Sequence, residues 1–278
     1  MKSLNKFQFT LITFVVLVAL FFVIFFAKKT PGKSEVADKT ESNTEKVNLD
    51  QVVTKKIAAL PDSLKLKFTE LNKAINSNPK QISTYDSMMK FWDKLFQPDI
   101  AAFYMEKKAE ISPSDSNWFE TGTRFLTSVQ FVKDPSLAKV LVLQAGKSFE
   151  KGLKLNPNNV EAKIKLASCY LEDEKDPMKG ISLLREIEKT DSNNINLQLS
   201  FGYASFKSGQ WDRAIKRFNK VLELNPEYLD AYIYLADVYE RKGDKEMTIK
   251  TLEAYSKKLN NQEAKKEIEK YINKLKNS

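Results

Sequence analysis

A Gly-Lys-Ser triplet is the first feature of this sequence whose residue types suggest chemistry, because a phosphate-binding loop ends in such a triplet. Here the triplet is Gly146-Lys147-Ser148. The loop requires a further glycine five residues before Gly146, and that position holds Leu141. The triplet also falls within a predicted helix, whereas the loop joins a strand to a helix. We therefore predict no nucleotide site and no cofactor.

The side chains that other catalytic mechanisms need are nearly absent. The chain contains no histidine and a single cysteine, Cys169. This composition excludes histidine general bases, triads that use histidine, disulfides within the chain and nearly all zinc sites. The acidic residues alternate with lysines along predicted helices, so no carboxylate pair lies in an apolar setting that would shift its pKa. We expect no enzymatic activity and no metal site, and we interpret Cys169 as a small residue packed between helices.

The charge of the chain is positive but diffuse. There are 45 Lys and Arg residues against 36 Asp and Glu residues among 278, which gives a net charge of +9. The two signs are interspersed along the chain. This pattern suits a solvated surface, or a weak attraction to anionic lipid, better than a nucleic-acid groove. We expect no nucleic-acid partner.

The N-terminal part of the sequence contains a long apolar run. Residues 7–27 include no charged side chain, and a helix of this length is about 30 Å long, which matches the hydrocarbon core of a bilayer. A cleaved secretory signal is the alternative. The apolar region of a signal peptide is usually shorter than this run, however, and Phe25 lies where signal cleavage needs a small residue. We predict an uncleaved transmembrane signal-anchor helix in residues 1–27.

The positive-inside rule does not decide the orientation of this predicted anchor, because lysines flank both of its ends. A short basic N-terminus before one apolar helix is typical of a signal-anchor. We therefore predict a cytoplasmic N-terminus, with the rest of the chain in the periplasm or another extracytoplasmic space; a cytoplasmic location is the alternative. Residues 28–48 contain many Lys, Glu, Ser and Thr residues and almost no apolar ones, so we predict a disordered linker there.

The rest of the sequence repeats itself. Gly209 and Gly243 are 34 residues apart, and residues 231–236 follow residues 197–202 by the same interval. In its period and in its small residues this segment resembles the tetratricopeptide repeat (TPR) family. The resemblance implies an all-α, TPR-like α-solenoid of antiparallel helical hairpins. In that family, small residues at repeat positions 8 and 20 let two helices approach closely, and a large residue at position 24 fills the space between them.

Four repeats are predicted, in residues 115–159, 160–194, 195–228 and 229–262. The third matches the family best, with Gly202, Ala214, Phe218 and Pro226 at positions 8, 20, 24 and 32. The first is about eleven residues too long, so we expect an elongated helix or an inserted loop near residues 133–135. In the last, Thr248 replaces the small residue at position 20, which is typical of a terminal repeat. By the same resemblance, Trp118 and Trp211 lie inside hairpins and are not stacking platforms.

The segments on either side of these repeats are also predicted to be helical. Leu64, Phe68, Leu71 and Ile75 follow helical spacing and form one apolar face. We predict N-terminal helices in residues 49–114, with a degenerate TPR-like repeat in residues 82–114. Residues 263–278 are amphipathic and rich in Lys and Glu, which is typical of a C-terminal capping helix on a stack of hairpins.

The resemblance also implies a binding surface, because the first helices of TPR hairpins line a concave face. The family positions near 2, 5, 9 and 12 give the predicted partner-binding residues Phe119, Thr123, Ile164, Ser168, Leu171, Leu199, Tyr203, Phe206, Ile233, Asp237 and Glu240. The Lys and Asn residues with which some family members bind a terminal carboxylate are missing from these positions. We predict an apolar and aromatic groove that suits an amphipathic helix or an extended apolar segment. Residues 50–80 could fill it instead.

These features together predict a membrane-anchored scaffold that docks partner proteins or peptides, such as an assembly factor of a membrane or envelope complex. The alternative is a homo-oligomerising structural module of the cell envelope, in which the groove or the end repeat binds a second copy of the chain. The identity of the partner is not encoded in any motif of the sequence.

Overall fold

Thirteen α-helices and one short 3-10 helix make up the part of the chain that the computed structural model describes, residues 47–173 and 176–277. No strand occurs in these residues, so the prediction of an all-α fold is confirmed. The helices are α1 (Leu49–Ala58), α2 (Asp62–Ser77), α3 (Ile82–Lys94), α4 (Pro98–Ile111), α5 (Asp115–Ser128), α6 (Pro135–Leu155), α7 (Val160–Glu172), α8 (Pro177–Glu188), α9 (Ile195–Lys207), α10 (Trp211–Leu224), α11 (Leu229–Lys242), α12 (Lys245–Lys258) and α13 (Gln262–Asn277), with the 3-10 helix (Val129–Phe131) after α5.

Side-chain caps and prolines determine where many of these helices begin. The amide oxygens of Asn159 and Asn194 accept hydrogen bonds from backbone N–H groups in the first turns of α7 and α9, at 3.0 and 3.1 Å. Such a cap contributes about 1 kcal/mol. Pro98, Pro135 and Pro177 occupy the first turns of α4, α6 and α8, where the missing N–H has no helical partner to lose.

Two glycines end helices in the left-handed conformation. Gly209 has a φ of 70° after α9, and Gly243 has a φ of 82° after α11. Residues with a side chain rarely adopt this conformation, so a glycine at this point allows the chain to turn into the next helix. The 34-residue interval between the two glycines is therefore the interval between two equivalent turns.

The predicted repeats coincide with pairs of helices in the structure. Their first residues, Asp115, Val160, Ile195 and Leu229, are the first residues of α5, α7, α9 and α11. Each of these helices packs with the next one along the chain, and α7 also contacts α9. The surplus residues of the first repeat are accounted for by the 3-10 helix and by α6, which has 21 residues where α8 has 12.

Small residues lie where helices approach most closely, as the resemblance implied. Ala214 is fully buried in the cluster that also contains Phe218 and Leu235. Thr248, which replaces the small residue of the last repeat, is 1% exposed, and its hydroxyl donates a 2.8 Å hydrogen bond to the carbonyl of Asp244. Its polar atom is thus satisfied within its own helix, so it can be buried at a close contact.

The N-terminal helices α1 to α4 share one hydrophobic cluster. Phe68 and Ile75 of α2 lie in one hydrophobic cluster with Trp92 of α3 and Met105 of α4.

The clusters that contain Leu184 and Phe218 include no residue of α1 or α2 among their described members. Leu49 and Val52 of α1, however, pack in the cluster that contains Ala162 of α7. At α9 and α11, the packing gives no support to the alternative in which residues 50–80 fill the predicted groove. At α5, Val52 packs against the same cluster as the predicted groove residue Phe119, so the alternative stays open there.

The predicted anchor, residues 1–27, and residues 28–46 of the predicted linker lie outside the described residues. Two residues of the predicted linker pack on the described helices: Val47 is half-buried against the cluster around Phe125, and the side chain of Asn48 caps α1. Of the helices that are described, none combines the length and the apolar character needed to cross a membrane.

Of the described residues, 47–173 and 176–255 belong to one compact unit, and 256–277 belong to a second. Within the second unit, α13 occupies most of the segment predicted as a C-terminal cap. It is rich in Lys and Glu, and Ile272 is its buried residue. A capping role for this helix stays a prediction.

Candidate functional site

The candidate site is the surface formed by the first helices of the four hairpins, α5, α7, α9 and α11, which we call the first-helix face. The sequence predicted all eleven candidate residues on this face. The structure leaves Tyr203 and Glu240 exposed, and it leaves seven of the others partly accessible, namely Phe119, Thr123, Ser168, Leu199, Phe206, Ile233 and Asp237. The remaining two are in the core.

Ile164 and Leu171 correct the predicted partner surface. They are only 3% and 6% exposed and lie in a hydrophobic cluster with Leu184 of α8 and Leu197 of α9. The reason is that α8 and α9 both pack against α7 and cover the side of the helix on which these two side chains lie. Neither residue can contact a partner in this arrangement, so the surface at α7 is less apolar than predicted.

A line of polar contacts joins α7 to α9 on the first-helix face. The hydroxyl oxygens of Ser168 and Ser200 are 3.5 Å apart. The hydroxyl of Tyr203 donates a 2.9 Å hydrogen bond to a carboxylate oxygen of Glu172, and the ammonium of Lys207 lies 3.0 Å from the other oxygen. Two long side chains are thus held by one carboxylate, which limits their motion at the surface.

Tyr203 is the most exposed aromatic residue of the predicted set. Its side chain is 42% exposed, and its hydroxyl group lies beside the carboxylate of Glu172. Partial burial, and then the charge of Glu172 and its hydrogen bond, raise the pKa of Tyr203 above the usual tyrosine value. The phenol therefore stays neutral and keeps donating its hydrogen bond at physiological pH.

Aromatic and charged groups also connect α9 to α11. The ring of Phe206 makes an edge contact with Trp211 at 5.7 Å between centroids, and the guanidinium of Arg241 lies 4.9 Å from the centre of the Phe206 ring. Arg241 also donates a 2.9 Å hydrogen bond to Asp237. Burial raises the pKa of Asp237, while Arg241 opposes this effect. The predicted aromatic groove is therefore an alternation of half-buried rings and paired charges.

The other end of the first-helix face contains a concavity of about 510 Å³ beside α5. Phe119 and Thr123, both predicted, lie in its wall. Phe131, Arg124 and Asp93 line it as well, and no pattern in the sequence predicts them there. The Arg124 guanidinium is 3.3 Å from the Asp93 carboxylate, and the Phe131 ring is 57% exposed. Phe131 follows the last regular turn of α5, so helical periodicity could not identify it.

The groups with catalytic or metal-binding chemistry are not brought together. No cluster of three or more acidic, histidine or cysteine side chains suitable for a metal ion occurs in the described parts of the chain. Burial raises the pKa of Cys169 to about 12, so its thiol is protonated and unreactive at neutral pH. Gly146-Lys147-Ser148 lies in the middle of α6, where the backbone N–H groups are engaged within the helix.

The two tryptophans that could have been ligand platforms are part of the packing. Trp118 is 5% exposed, and the Lys151 ammonium lies 4.0 Å from the centre of its ring. Trp211 is half-buried against the cluster that contains Phe218 and Leu235. Both placements agree with the interpretation of these residues as interior side chains.

Comparison with known proteins identifies the repeat type. A family model of the TPR repeat matches residues 202–243, which extend from α9 to the turn after α11. Residues 202–243 therefore contain a TPR repeat, and the described helices have the all-helical hairpin architecture of that class of protein. No curated protein matches the chain in sequence.

Several solved structures are similar to this chain. YrrB, described as a TPR protein with an unusual peptide-binding site, is 19% identical, with 72% of this chain and 97% of that chain covered and a TM-score of 0.43. MamA from Desulfovibrio magneticus RS-1 is 17% identical, with coverages of 64% and 94% and a TM-score of 0.47. PilW, described as a widely conserved type IV pilus biogenesis factor, is 15% identical, with coverages of 70% and 85% and a TM-score of 0.49. The peptide-binding site and the role in pilus biogenesis are described for YrrB and PilW, respectively.

Proposed function

We propose that this protein is a membrane-anchored interaction scaffold whose first-helix face docks a partner protein or peptide. The observation that carries the proposal is the position of the Tyr203 side chain. Its exposed ring lies on the same helix face as the half-buried Leu199 and Phe206, and Glu172 holds its hydroxyl group in place. Aromatic side chains that are fixed before binding and bordered by apolar groups are typical anchors of protein interfaces.

The charged groups of the face suit a polar rim around this anchor. Lys207, Glu172, Asp237 and Arg241 are engaged with one another or with neighbouring groups, so a partner would not leave an isolated charge buried beneath it. The concavity beside Phe119 and Phe131 offers a second place for an apolar side chain of the same partner. An amphipathic helix or an extended segment fits such a surface.

The membrane part of the proposal rests on the sequence. The uncharged run of residues 7–27 is long enough to span a bilayer, and the linker that follows would let the repeats reach partners near the membrane. With a cytoplasmic N-terminus, the repeats are extracytoplasmic. A tethered scaffold of this kind suits the assembly of a membrane or envelope complex.

Site-specific crosslinking tests the docking surface. A photo-crosslinking amino acid is placed at residue 203 or residue 131 of the full chain in native membranes, and at Asn219, an exposed residue of α10, as the control. We expect a discrete crosslinked species from residues 203 and 131 and none from residue 219. Equal crosslinking from all three positions would contradict a partner site on the first-helix face. A species made of two copies of this chain would favour the homo-oligomeric alternative.

Substitution at the anchor residue measures its contribution. Tyr203→Ala removes the ring and should weaken binding of the crosslinked partner by about 2 kcal/mol, or roughly thirtyfold. Tyr203→Phe keeps the ring and loses only the bond to Glu172, so it should weaken binding less. Retention of full affinity by a folded Tyr203→Ala variant would place the docking site elsewhere.

Fractionation tests the anchor and its orientation. The full-length protein should stay in the membrane fraction after alkaline extraction, and protease added to intact bacterial spheroplasts should digest residues 28–278. A soluble species that begins near residue 28 would overturn the anchor. Protection in intact spheroplasts, with digestion after lysis, would show that the repeats are cytoplasmic.

A further inference from the structure

A groove of about 1090 Å³ lies between α8 and α10, the second helices of two adjacent hairpins, with α9 as its floor. It borders the first-helix face at α9, and Lys207 belongs to both surfaces. The helix α9 contributes Phe201 and Ser205 to this groove, whereas Tyr203 belongs to the first-helix face. We call it the second-helix groove. Apart from Lys207, the second-helix groove shares no residue with the docking site proposed around Tyr203.

The floor of the second-helix groove is apolar and held in place. Phe201 is buried, and the central guanidinium carbon of Arg217 lies 4.3 Å from the centre of its ring. The same guanidinium is 2.5 Å from a carboxylate oxygen of Glu188 and 3.0 Å from the amide oxygen of Gln198. Arg217 is thus neutralised and fixed by its neighbours, while Ile181 adds further apolar surface.

The walls of the groove carry an excess of positive charge. Six of its lining residues are basic, namely Arg185, Lys207, Arg213, Lys216, Arg217 and Lys220. Three are acidic, namely Asp173, Glu188 and Glu223. Glu188 is paired with Arg217 and Glu223 with Lys220. Basic residues are therefore present in both walls, and two of the three acidic side chains are already paired with basic residues of the groove.

Three cations of the walls have no carboxylate partner. Arg185 lies in the α8 wall, and Arg213 and Lys216 lie one helical turn apart in the α10 wall. Within the residues that the structure describes, no Asp or Glu oxygen lies within 4.0 Å of any of these three side chains; Arg213 contacts only the neutral amide of Gln210. Since cations on opposing walls of a recess reinforce one another's field, the groove attracts negative charge.

We infer that the second-helix groove binds an acidic, amphipathic peptide segment of a partner protein. The apolar side chains of such a segment would lie on the partly accessible Ile181 and Ala204, above the buried Phe201, and its carboxylates would face Arg185, Arg213 and Lys216. A peptide suits this geometry better than an anionic membrane, because the apolar floor is recessed between two helices, where a flat lipid surface does not reach. Charge complementarity of this kind determines specificity and the rate of association.

A direct binding measurement tests the inference. Full-length protein in a non-ionic detergent is titrated into a fluorescent peptide that alternates glutamate and leucine, and the dissociation constant is read from anisotropy. A glutamine-leucine peptide of equal length is the neutral probe. The variant Arg213→Glu/Lys216→Glu reverses the α10 wall, and Arg185→Ala removes the cation of the α8 wall. Lys90→Glu/Lys154→Glu is the matched control, because it makes the same change in net charge at exposed positions outside the groove.

We expect the native protein to bind the glutamate-leucine peptide and to bind the neutral probe more weakly, with an affinity that falls as salt is added. Arg213→Glu/Lys216→Glu should weaken binding by about tenfold or more, Arg185→Ala by about threefold, and the control pair by less than about twofold. Tyr203→Ala should leave peptide affinity unchanged, so that failure of this inference and failure of the proposed docking site can be told apart.

Several results would overturn the inference. They are the absence of binding to the glutamate-leucine peptide, equal binding of the neutral probe, and equal weakening by the control pair. Tighter binding to phosphatidylglycerol vesicles than to the peptide, abolished by Arg213→Glu/Lys216→Glu, would assign the groove to the membrane surface instead. If circular dichroism shows that the double variant is not folded, Arg185→Ala and Lys216→Ala decide the outcome by the same criteria.

Discussion

The ring of Phe218 occupies the space that a side chain at Gly202 would need. A Cβ atom built on Gly202 would lie 2.5 Å from Cε1 of Phe218, a distance that real Cβ contacts do not reach. The first repeat contains the same relationship, since a Cβ on Gly122 would lie 2.7 Å from the ring of Phe149. In both hairpins a glycine of the first helix allows a phenylalanine of the second helix to be buried against it.

Gly202→Ala should therefore destabilise the protein. The Phe218 ring is 1% exposed and is stacked on Tyr234 with 5.2 Å between centroids, so it cannot move aside without disturbing a second contact. Overpacking of this kind typically costs about 1–3 kcal/mol. The measurement is the urea midpoint of unfolding, followed by circular dichroism.

Gly146→Ala is the matched control for Gly202→Ala. A Cβ atom at Gly146 would meet its nearest neighbour, the Cβ of Cys169, at 3.5 Å, which is an ordinary van der Waals distance. Alanine also favours a helix over glycine by about 0.5–1 kcal/mol. We expect an unchanged or raised midpoint. Equal losses of stability at Gly146 and Gly202 would contradict the packing described for the third repeat.

Gly243→Ala should destabilise the protein for a different reason. A Cβ atom at this position would meet no atom within 4 Å, but the φ of 82° lies in the left-handed region. An L-residue other than glycine is strained there by about 1–2 kcal/mol. Gly243→Asn should lose less stability, because asparagine tolerates this conformation better. Identical midpoints for the native chain and Gly243→Ala would show that the turn after α11 does not need a glycine.

Cys169 should not react with thiol reagents in the folded protein. Burial, and to a smaller extent the charge of Glu172, raise the pKa of its thiol to about 12. The thiolate fraction at pH 8 is then about 10⁻⁴, whereas an unfolded cysteine with a pKa of about 8.5 is substantially ionised. A colorimetric disulfide reagent at pH 8 should modify the single cysteine rapidly in urea and very slowly in the native chain. Rapid modification without urea would mean that α7 is not packed as described.

Glu106→Gln should raise stability at neutral pH. Burial raises the pKa of Glu106, and this effect outweighs the opposing charge of Lys151, whose ammonium is 3.9 Å from the carboxylate. A carboxyl group with a raised pKa in the folded state contributes stability below its unfolded pKa and loses it as the pH rises through the folded value. Glutamine cannot ionise, so the variant escapes this loss.

The pH dependence distinguishes this effect from a simple change in packing. We expect the urea midpoint of Glu106→Gln to exceed that of the native chain at pH 7 and to equal it near pH 4, where the native carboxyl is protonated. Glu110→Gln is the control, because the Glu110 side chain is 47% exposed and should change stability little at either pH. A lower midpoint for Glu106→Gln at pH 7 would show that the interaction with Lys151 outweighs the effect of burial.

Much of the fold follows from short-range patterns in the sequence. The turn glycines, the Asn caps and the first-turn prolines each act within a few residues, so they can be identified without knowledge of the rest of the chain. Small residues that recur at 34-residue spacing, such as Gly202 and Ala236, indicate close approaches between helices. For this reason, the predicted repeat boundaries coincide with helix starts.

Exposure could not be predicted in the same way. Ile164 and Leu199 are apolar residues at the same family position of consecutive repeats, yet Ile164 is in the core and Leu199 is partly accessible. The family position determines on which side of its helix a residue lies, but the neighbouring helices determine how much of that side is covered. The exposure of Phe131 could not be predicted, because this residue lies in the 3-10 helix after α5. Such a short element has no repeating pattern of apolar residues that would show which way a side chain points.

The sequence by itself determined the all-helical class, the repeat period and the contacts within each hairpin, because these depend on residues close together along the chain. The tertiary structure alone decided which residues form a surface. Arg185 and Arg213 line one groove only because α8 and α10 both pack beside α9, and Glu172 holds Tyr203 only because α7 lies against α9. Packing between hairpins brings the members of each pair together, and no local pattern in the sequence predicts this packing.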